Sequence, residues 1–378
     1  MHTMTAKDRI WSIDTLRGLD MFLIMGGVLL ILRICVWLAG GDAGWHWPLA
    51  EQMYHVAWDG CNFIDVLFPL FLFIAGASWP FSLASQRRRG VSEGRIALRC
   101  AKRGLALVFL GLVTNKVFQF DFAHITFCSV LSRIGLAWML AALASLILKN
   151  RGRIVLSVAI LLGYWALLVF VPAPDAPAGA GPLSEAGNLA GWVERMLWPN
   201  HMWKFVTHPE GVLNTLPAVV TAMLGIFAGE IVRRTDVSGN RKTLALLALA
   251  GGLALATLVI AYGCGSWSMP LNKKLWSSSF VCATGAISMA ALAVFYWVID
   301  VKGFRRWTFV FRVIGMNAIT AYMMQYVLDL DVIAKFFLGG VMSLCSPLLA
   351  NVILSVGHLA VCWLVLWFLY RKQVFLRV

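Results

Sequence analysis

The chain has 378 residues, of which 60% are hydrophobic and only 13% charged, with a mean hydropathy of +0.78. Those values exclude a soluble domain and point to a polytopic membrane protein. The formal net charge of +14 does not require nucleic acid, because the Lys and Arg residues gather in the joints between apolar stretches, where they orient a chain in a bilayer.

Windows of about 20 apolar residues, enough to cross roughly 30 Å of hydrocarbon, recur along the whole length. They fall at 18–39, 63–85, 96–114, 125–148, 153–171, 212–232, 243–263, 278–299, 309–328 and 349–370. The expected fold is an all-α membrane bundle of about ten transmembrane helices, a single domain over 1–378. Before the first span stand Lys7, Arg9 and Arg17, and every second joint after it is basic. These joints hold Arg87, Arg88, Arg89, Arg95, Arg99, Lys102 and Arg103, then Lys149, Arg151 and Arg153, then Arg233, Arg234, Arg241 and Lys242. Lys302, Arg305, Arg306 and Arg312 follow, and Arg371, Lys372 and Arg377 close the chain. The positive-inside rule makes these joints cytoplasmic, and with ten spans both termini share that side. The charged start runs into an apolar stretch too long for a signal-peptide core, with no small-residue cleavage site, so the first span is expected to insert and stay. A short apolar piece at 332–344 is expected to be re-entrant or interfacial; counted as a crossing it makes eleven spans and turns the C-terminus outward.

Two of the outward connections stand out. The longer, 172–211, begins with the flexible "PAPDAPAGAGPLSEAG" and continues into "WVERMLWPNHMW", whose tryptophans suit a helix lying at the interface. The other, 40–62, carries Asp42, His46, Glu51, His55 and Asp59 without a single Lys or Arg. The eight cysteines show no CxxC and no metal spacing, so they read as small packing residues and no metal is expected. Cys61, Cys128, Cys264 and Cys345 lie near the outer side, where a disulfide is chemically permitted.

Charged and polar residues inside spans are costly and usually face a pathway, a partner or a site. The candidates are Asp20, Arg33, Asp65, Arg133, Asn317, Gln325 and His358. Asp20 lies three residues after Arg17 on one helical face, spaced for a local ion pair. Arg33 can snorkel to the outer interface, whereas Arg133 sits about two turns inside its span and needs an ion pair, with Asp65 as the partner in view. His358 reads as a hydrogen-bonded core histidine.

The densest polar group is in "MYHVAWDGCNFIDVLFPLFLFIAG". A helix beginning near His55 puts His55, Asp59 and Asn62 at i, i+4 and i+7 on one face, with Asp65 following at the same slant. A carboxylate one turn from an imidazole fixes its tautomer and supports proton uptake. The competing reading is a polar interface in which Asp59 caps the second span. A second outer group, "LNKKLWSSSF", holds Lys273 and Lys274, which suit an anionic group such as a phosphate or carboxylate. Polar residues in spans also fit a secondary transporter of a small sugar or anion, but no two-half repeat accompanies them.

Several blocks in order resemble the heparan-alpha-glucosaminide N-acetyltransferase family over nearly the full length. They are "RIWSIDTLRGLDMFLI", "HVAWDGCNFIDVLFPLFLFIAGAS", "SVLSRIGLAW", "GVLNTLPAVVTAMLGIFAGEI", "LNKKLWSSSFV", "VIDVKGFRRW", "IGMNAITAYMMQYV" and "YRKQVF". The second block is the specific one; "IDTLRG" also opens a span in other membrane acyltransferases. The resemblance implies transfer of an acetyl group from cytoplasmic acetyl-CoA to the amine of an amino sugar of glucosamine type on the far side. In that reading His55 is the active-site histidine, acting as acyl carrier or general base, with Asp59 where the human enzyme's motif has asparagine. The polar residues themselves, rather than the resemblance, give the expected acceptor contacts: Asn62, Asp65, Arg133, Lys273, Lys274 and Asn317. Donor contacts are expected at Arg17, Asp20, Arg87 and Arg88, the three arginines because polyanionic CoA needs cationic groups on the cytoplasmic side. A homodimer is also implied, and the compact form suits a bacterial inner membrane with His55 near the periplasmic face. An acyltransferase acting on a lipid or cell-wall glycan shares the same features.

Overall fold

The computed structural model describes residues 10–121, 125–198 and 206–376; Lys7, Arg9, Arg377 and the "PNHMW" end of the tryptophan-rich segment lie outside the described residues. Helices dominate: α1 Trp11–Leu38, α2 Phe63–Arg88, α3 Glu93–Thr114, α4 Val130–Ile147, α5 Asn150–Phe170, α6 Leu189–Leu197 and α7 Thr215–Arg233. Then come α8 Gly239–Gly263, α9 Ser278–Val301, α10 Thr308–Met316, α11 Ala318–Val327, α12 Leu330–Ser343 and α13 Pro347–Arg371. Among the described residues the only extended pairing is an isolated bridge between Pro172 and Asn188. Among the described residues eight helices are long and apolar enough to cross a bilayer, and the chain is an all-α polytopic membrane bundle.

Two expected spans differ from the simple pattern. Helix α3 has the length, but Arg99, Lys102 and Arg103 fall in every 18-residue window of it and lower its apolar content. The stretch 309–328 is not one helix. It breaks at Asn317 (φ −125°, ψ 33°) into α10 and α11 of 9 and 10 residues, each about 15 Å long and half a crossing. The apolar piece at 332–344 forms α12, whose 14 residues reach about 21 Å, also short of a crossing.

Helix starts follow local chemistry. Ser129 accepts the Ser132 N–H at 3.1 Å to open α4, Asn188 accepts from Gly191 at 2.7 Å to open α6, and Ser346 followed by Pro347 opens α13. In α1 the "MGG" stretch turns π-helical over Leu23–Gly27, with Gly26 at φ +138°, a backbone that only glycine adopts readily.

Contacts divide the chain into two compact units. Among the described residues, one holds 10–56, Asn62–Leu67 and 294–376: α1, the start of α2, the end of α9, and α10 to α13. Gly18 and Gly315 let α1 and α10 touch backbone to backbone, and Gly357 of α13 makes room for Ala334 and Leu338 of α12. The other holds Ala57–Cys61 and Phe68–Ala293. There Gly225 and Gly229 of α7 rest on the carbonyls of Phe73 and Ala77 in α2, and Gly76 rests on that of Ala222. Small residues four apart are how helices approach closely where lipid offers no hydrophobic drive. None of the eight cysteines forms a disulfide, and Cys35, Cys100, Cys282 and Cys362 are buried packing residues.

Candidate active site

The chain over 52–62 is not helical, which corrects the expected His55–Asp59–Asn62 face: the short turn Pro48–Glu51 ends before it and α2 begins at Phe63. What holds this loop is a set of side-chain to backbone bonds. Asn62 Nδ2 donates to the carbonyls of Glu51 (3.0 Å) and Tyr54 (2.8 Å). Gln52 accepts the Phe63 N–H on its side chain and the Ile64 N–H on its carbonyl, both at 3.1 Å. These bonds satisfy donors at the helix start that would otherwise be orphaned.

The carboxylate that meets His55 is Asp65, not Asp59. Asp65 Oδ1 lies 2.6 Å from His55 Nδ1, while Oδ2 accepts the Asn62 N–H at 3.1 Å and the Val56 N–H at 3.5 Å. Asp65 is fully buried and the His55 side chain is 56% exposed. With its oxygens turned to donors, the carboxylate takes the Nδ1–H of the imidazole and leaves the Nε2 lone pair for chemistry. That is the arrangement of a carboxylate-supported base or nucleophile.

Asp59 belongs to the second unit, where its Oδ1 accepts from Asn272 Nδ2 at 3.1 Å; it does not cap α2. The same "WDG" segment is tied down on both sides of Asp59. Trp58 Nε1 donates to the Leu183 carbonyl at 3.0 Å, and Gly60, at φ +126°, donates its N–H to the Leu271 carbonyl at 2.7 Å.

The "LNKKLWSS" loop folds around Asn272, whose Oδ1 accepts the Leu275 N–H at 2.9 Å. Lys274 pairs with Glu185 at 2.9 Å and lies over the Trp58 ring at 5.4 Å. Lys273 is half-buried, and its carbonyl accepts the Trp276 N–H at 3.1 Å. Arg133 is 1% exposed, and its hydrogen-bond partner is Asn214 rather than the expected Asp65. Its Nη2 donates to Asn214 Oδ1 at 2.5 Å and its guanidinium faces the Trp276 ring at 4.8 Å. Asn214 in turn donates to the Lys274 carbonyl at 2.8 Å, so Arg133 and the lysine loop form one connected set.

Three residues of this unit were not singled out from sequence. Asn214 lies inside the quoted "GVLNTLP" block, but nothing local marks it as the partner of a residue 81 positions away. Glu194 is buried, and burial raises its carboxyl above the usual range against the pull of the Val212 N–H. His208 is pushed down to about 4, first by burial and then by the charge of Arg133. Glu210 Oε2 lies 3.5 Å from His208 Nδ1, but that nitrogen accepts the Glu210 N–H at 3.1 Å, so it is unprotonated and the pair is not ionic.

The remaining expected residues are dispersed. In the first unit Arg17 pairs with Asp14 at 3.4 Å rather than with Asp20. Asp20 is 1% exposed, and neither carboxylate oxygen has a hydrogen-bond partner. Asn317 is buried at the α10–α11 break with both amide atoms unpartnered. Arg33 donates to Ser355 Oγ (2.8 Å) and the Asn351 carbonyl (3.1 Å), and His358 meets Asp331 at 2.8 Å, the hydrogen-bonded histidine that was expected. In the second unit Arg87 and Arg88 end α2 on an exposed surface, Arg87 paired with Glu93 at 2.7 Å. Among the described residues no cluster of three or more His, Cys, Asp or Glu could hold a metal ion.

No family model matches the chain. It is 28% identical over 422 residues to the heparan-alpha-glucosaminide N-acetyltransferase of Homo sapiens, an alignment covering 98% of this chain and 60% of the relative. To the enzyme of the same name from Mus musculus it is 26% identical over 427 residues, covering 99% of this chain and 61% of the relative. The chain thus spans about three fifths of the length of these curated relatives. This all-α membrane protein is a distant relative of the heparan-alpha-glucosaminide N-acetyltransferases.

Proposed function

We propose that the chain is a transmembrane N-acetyltransferase, working as one domain over 1–378, that moves an acetyl group from cytoplasmic acetyl-CoA to the amine of an amino sugar on the opposite side. The observation that carries this reading is the His55–Asp65 dyad, an exposed imidazole held at 2.6 Å by a fully buried carboxylate. The distant relationship to N-acetyltransferases supports the reaction class.

Thioester aminolysis forms a C–N bond, breaks a C–S bond and moves one proton from nitrogen to sulfur. As general base, His55 Nε2 takes the proton of the attacking amine and returns it to the departing thiolate, giving the amide and free CoA thiol. As acyl carrier, Nε2 attacks the thioester carbonyl and the thiolate leaves; the amine then displaces the imidazole, and the proton it sheds passes to the freed Nε2 and on to the thiolate. In either route Asp65 keeps Nδ1 protonated and balances the cationic imidazole that forms. Asp59, which accepts a hydrogen bond from Asn272, is proposed as the acid that receives the sugar's ammonium group, and Asn62 as the residue that keeps the His55 loop in shape. Arg133, Lys273, Lys274 and Asn317 complete the proposed acceptor and acyl path. Arg17, Arg87 and Arg88 supply cationic donors for the CoA phosphates. Asp20 is left out of that set, since a buried acid opposes a phosphate. The proposed setting is a bacterial inner membrane with His55 toward the periplasm, the protein acting as a homodimer.

The test is label transfer by purified protein from radioactive acetyl-CoA to glucosamine. Acetylated sugar is the expected product. Absence of transfer, with uptake of unmodified glucosamine by reconstituted vesicles, would replace the enzyme with a transporter.

A further inference from the structure

At the basic end of the first unit, two arginines close on one indole. The guanidinium of Arg312 stacks 3.7 Å from the centre of the Trp11 ring, and that of Arg305 lies 4.9 Å from it. Trp11 opens α1, and Arg312, in the second turn of α10, reaches it in keeping with the lean of helical side chains toward the N-terminus of their own helix. Neither cation is neutralised. Arg305 donates from Nε to the Ile299 carbonyl at 3.2 Å, Arg312 Nε is buried without a hydrogen-bond partner, and no acid among the described residues pairs with either. The acids of these segments are engaged elsewhere: Asp300 accepts the N–H groups of Trp11 (3.3 Å) and Ser12 (3.0 Å), and Asp14 pairs with Arg17 at 3.4 Å.

Two like charges held against one ring repel, and an anion beside them relieves the repulsion. A guanidinium stacked on an aromatic face still presents its N–H edge, the geometry that takes a phosphate through two parallel bonds. The neighbours of the pair favour one kind of phosphate. Trp297 and Trp307, both exposed, mark this level as the interfacial belt of the bundle. Phe309 is also exposed, lies three residues before Arg312 on one face of α10, and packs edge-on against Trp363 of α13 with ring centres 6.4 Å apart. Cations at the headgroup level beside an exposed apolar surface fit an amphiphile better than a soluble anion, and basic pockets at the ends of spanning helices are where anionic headgroups bind.

We infer that Trp11, Arg305 and Arg312 hold the phosphate of an anionic phospholipid from the leaflet at that end of the bundle, with its hydrocarbon against Phe309 and Trp363. The site does not depend on acetyl transfer, so failure of the dyad chemistry leaves it standing. Detergent-purified protein is titrated in mixed micelles with phosphatidylglycerol or phosphatidylcholine of the same acyl chains, and separately with acetyl-CoA or inorganic phosphate, following the unfolding temperature. Wild type is expected to reach half of its stabilisation at a phosphatidylglycerol fraction at least tenfold below that of phosphatidylcholine. Each arginine near an anionic surface contributes about fivefold, so the double variant Arg305→Met, Arg312→Met should lose that preference. Arg151→Met with Arg241→Met, which removes the same charge from exposed positions in two other basic joints, should keep it. Equal responses of wild type to the two lipids, an undiminished preference in the Arg305, Arg312 variant, or an equal loss in the Arg151, Arg241 variant would overturn the site. Stabilisation by acetyl-CoA or inorganic phosphate that disappears in the Arg305, Arg312 variant while the lipid preference persists would assign the arginines to a soluble phosphate and overturn the lipid. If the double variant does not fold, Arg305→Met alone, at an exposed loop position, decides: a response to phosphatidylglycerol weakened about fivefold supports the site, and an unchanged response overturns it.

Discussion

Replacing Asp65 by Asn perturbs the dyad while conserving shape. In the native site Oδ2 accepts the N–H groups of Asn62 and Val56, and Oδ1 faces His55 Nδ1 at 2.6 Å. An asparagine must keep its carbonyl oxygen toward the two N–H donors, so its NH2 turns toward His55. That NH2 can only donate, which forces Nδ1 to accept and moves the ring proton to Nε2. The nitrogen that should attack or take a proton then lacks a lone pair. General acid–base steps contribute about 10²- to 10⁴-fold, so kcat should fall by that factor, equivalent to about 3–5 kcal/mol of barrier at 1.36 kcal/mol per decade. The assay is label transfer from acetyl-CoA to glucosamine with thermal unfolding measured on the same sample. A kcat within threefold of wild type in a folded Asp65→Asn protein would refute the tautomer argument.

His208 provides a pH test of stability. Its folded value of about 4 lies below an unfolded value of about 6.5, so the unfolded chain binds more protons between them and stability rises with pH there. The contribution is fully present above pH about 6.5 and is lost as pH falls toward 4, to the extent of about 3 kcal/mol. Thermal scans of His208→Gln should be flatter across that window, and an unchanged slope would contradict the burial argument. Gly229→Leu places a side chain against the Ala77 carbonyl and should cost about 1–3 kcal/mol as overpacking, read as a lower unfolding temperature; an unaltered temperature would mean the α2–α7 contact is looser. Gly60→Ala forces a Cβ into φ +126° at about 1–3 kcal/mol and should raise KM for the amine by disturbing Asp59. Unchanged stability and KM would count against the "WDG" segment as a fixed element.

The span pattern was legible because apolar length and basic joints are summed properties that survive local irregularity. Breaks within spans were not: nothing in "IGMNAITAY" marks Asn317 as a non-helical residue, and it stays helical in a periodicity argument until a structure shows otherwise. At the site, the motif singled out His55 and the chemistry demanded a carboxylate, but helical spacing chose Asp59. The chain instead loops between Met53 and Asn62, and the return brings Asp65, ten residues on, to the imidazole. Side-chain to backbone bonds from Asn62 and Gln52 create that loop, and such bonds leave no periodic trace. Arg133 was recognised as needing a partner, yet Asn214 and Trp276 are long-range neighbours that only packing reveals.

The central claim is that acetyl transfer runs through the Nε2 of His55. Single-turnover transfer of labelled acetyl from acetyl-CoA to glucosamine, with His55→Ala beside wild type and both shown to be folded, tests it most directly. Loss of at least a hundredfold in the variant is the expected result. Transfer at the wild-type rate by His55→Ala would contradict it.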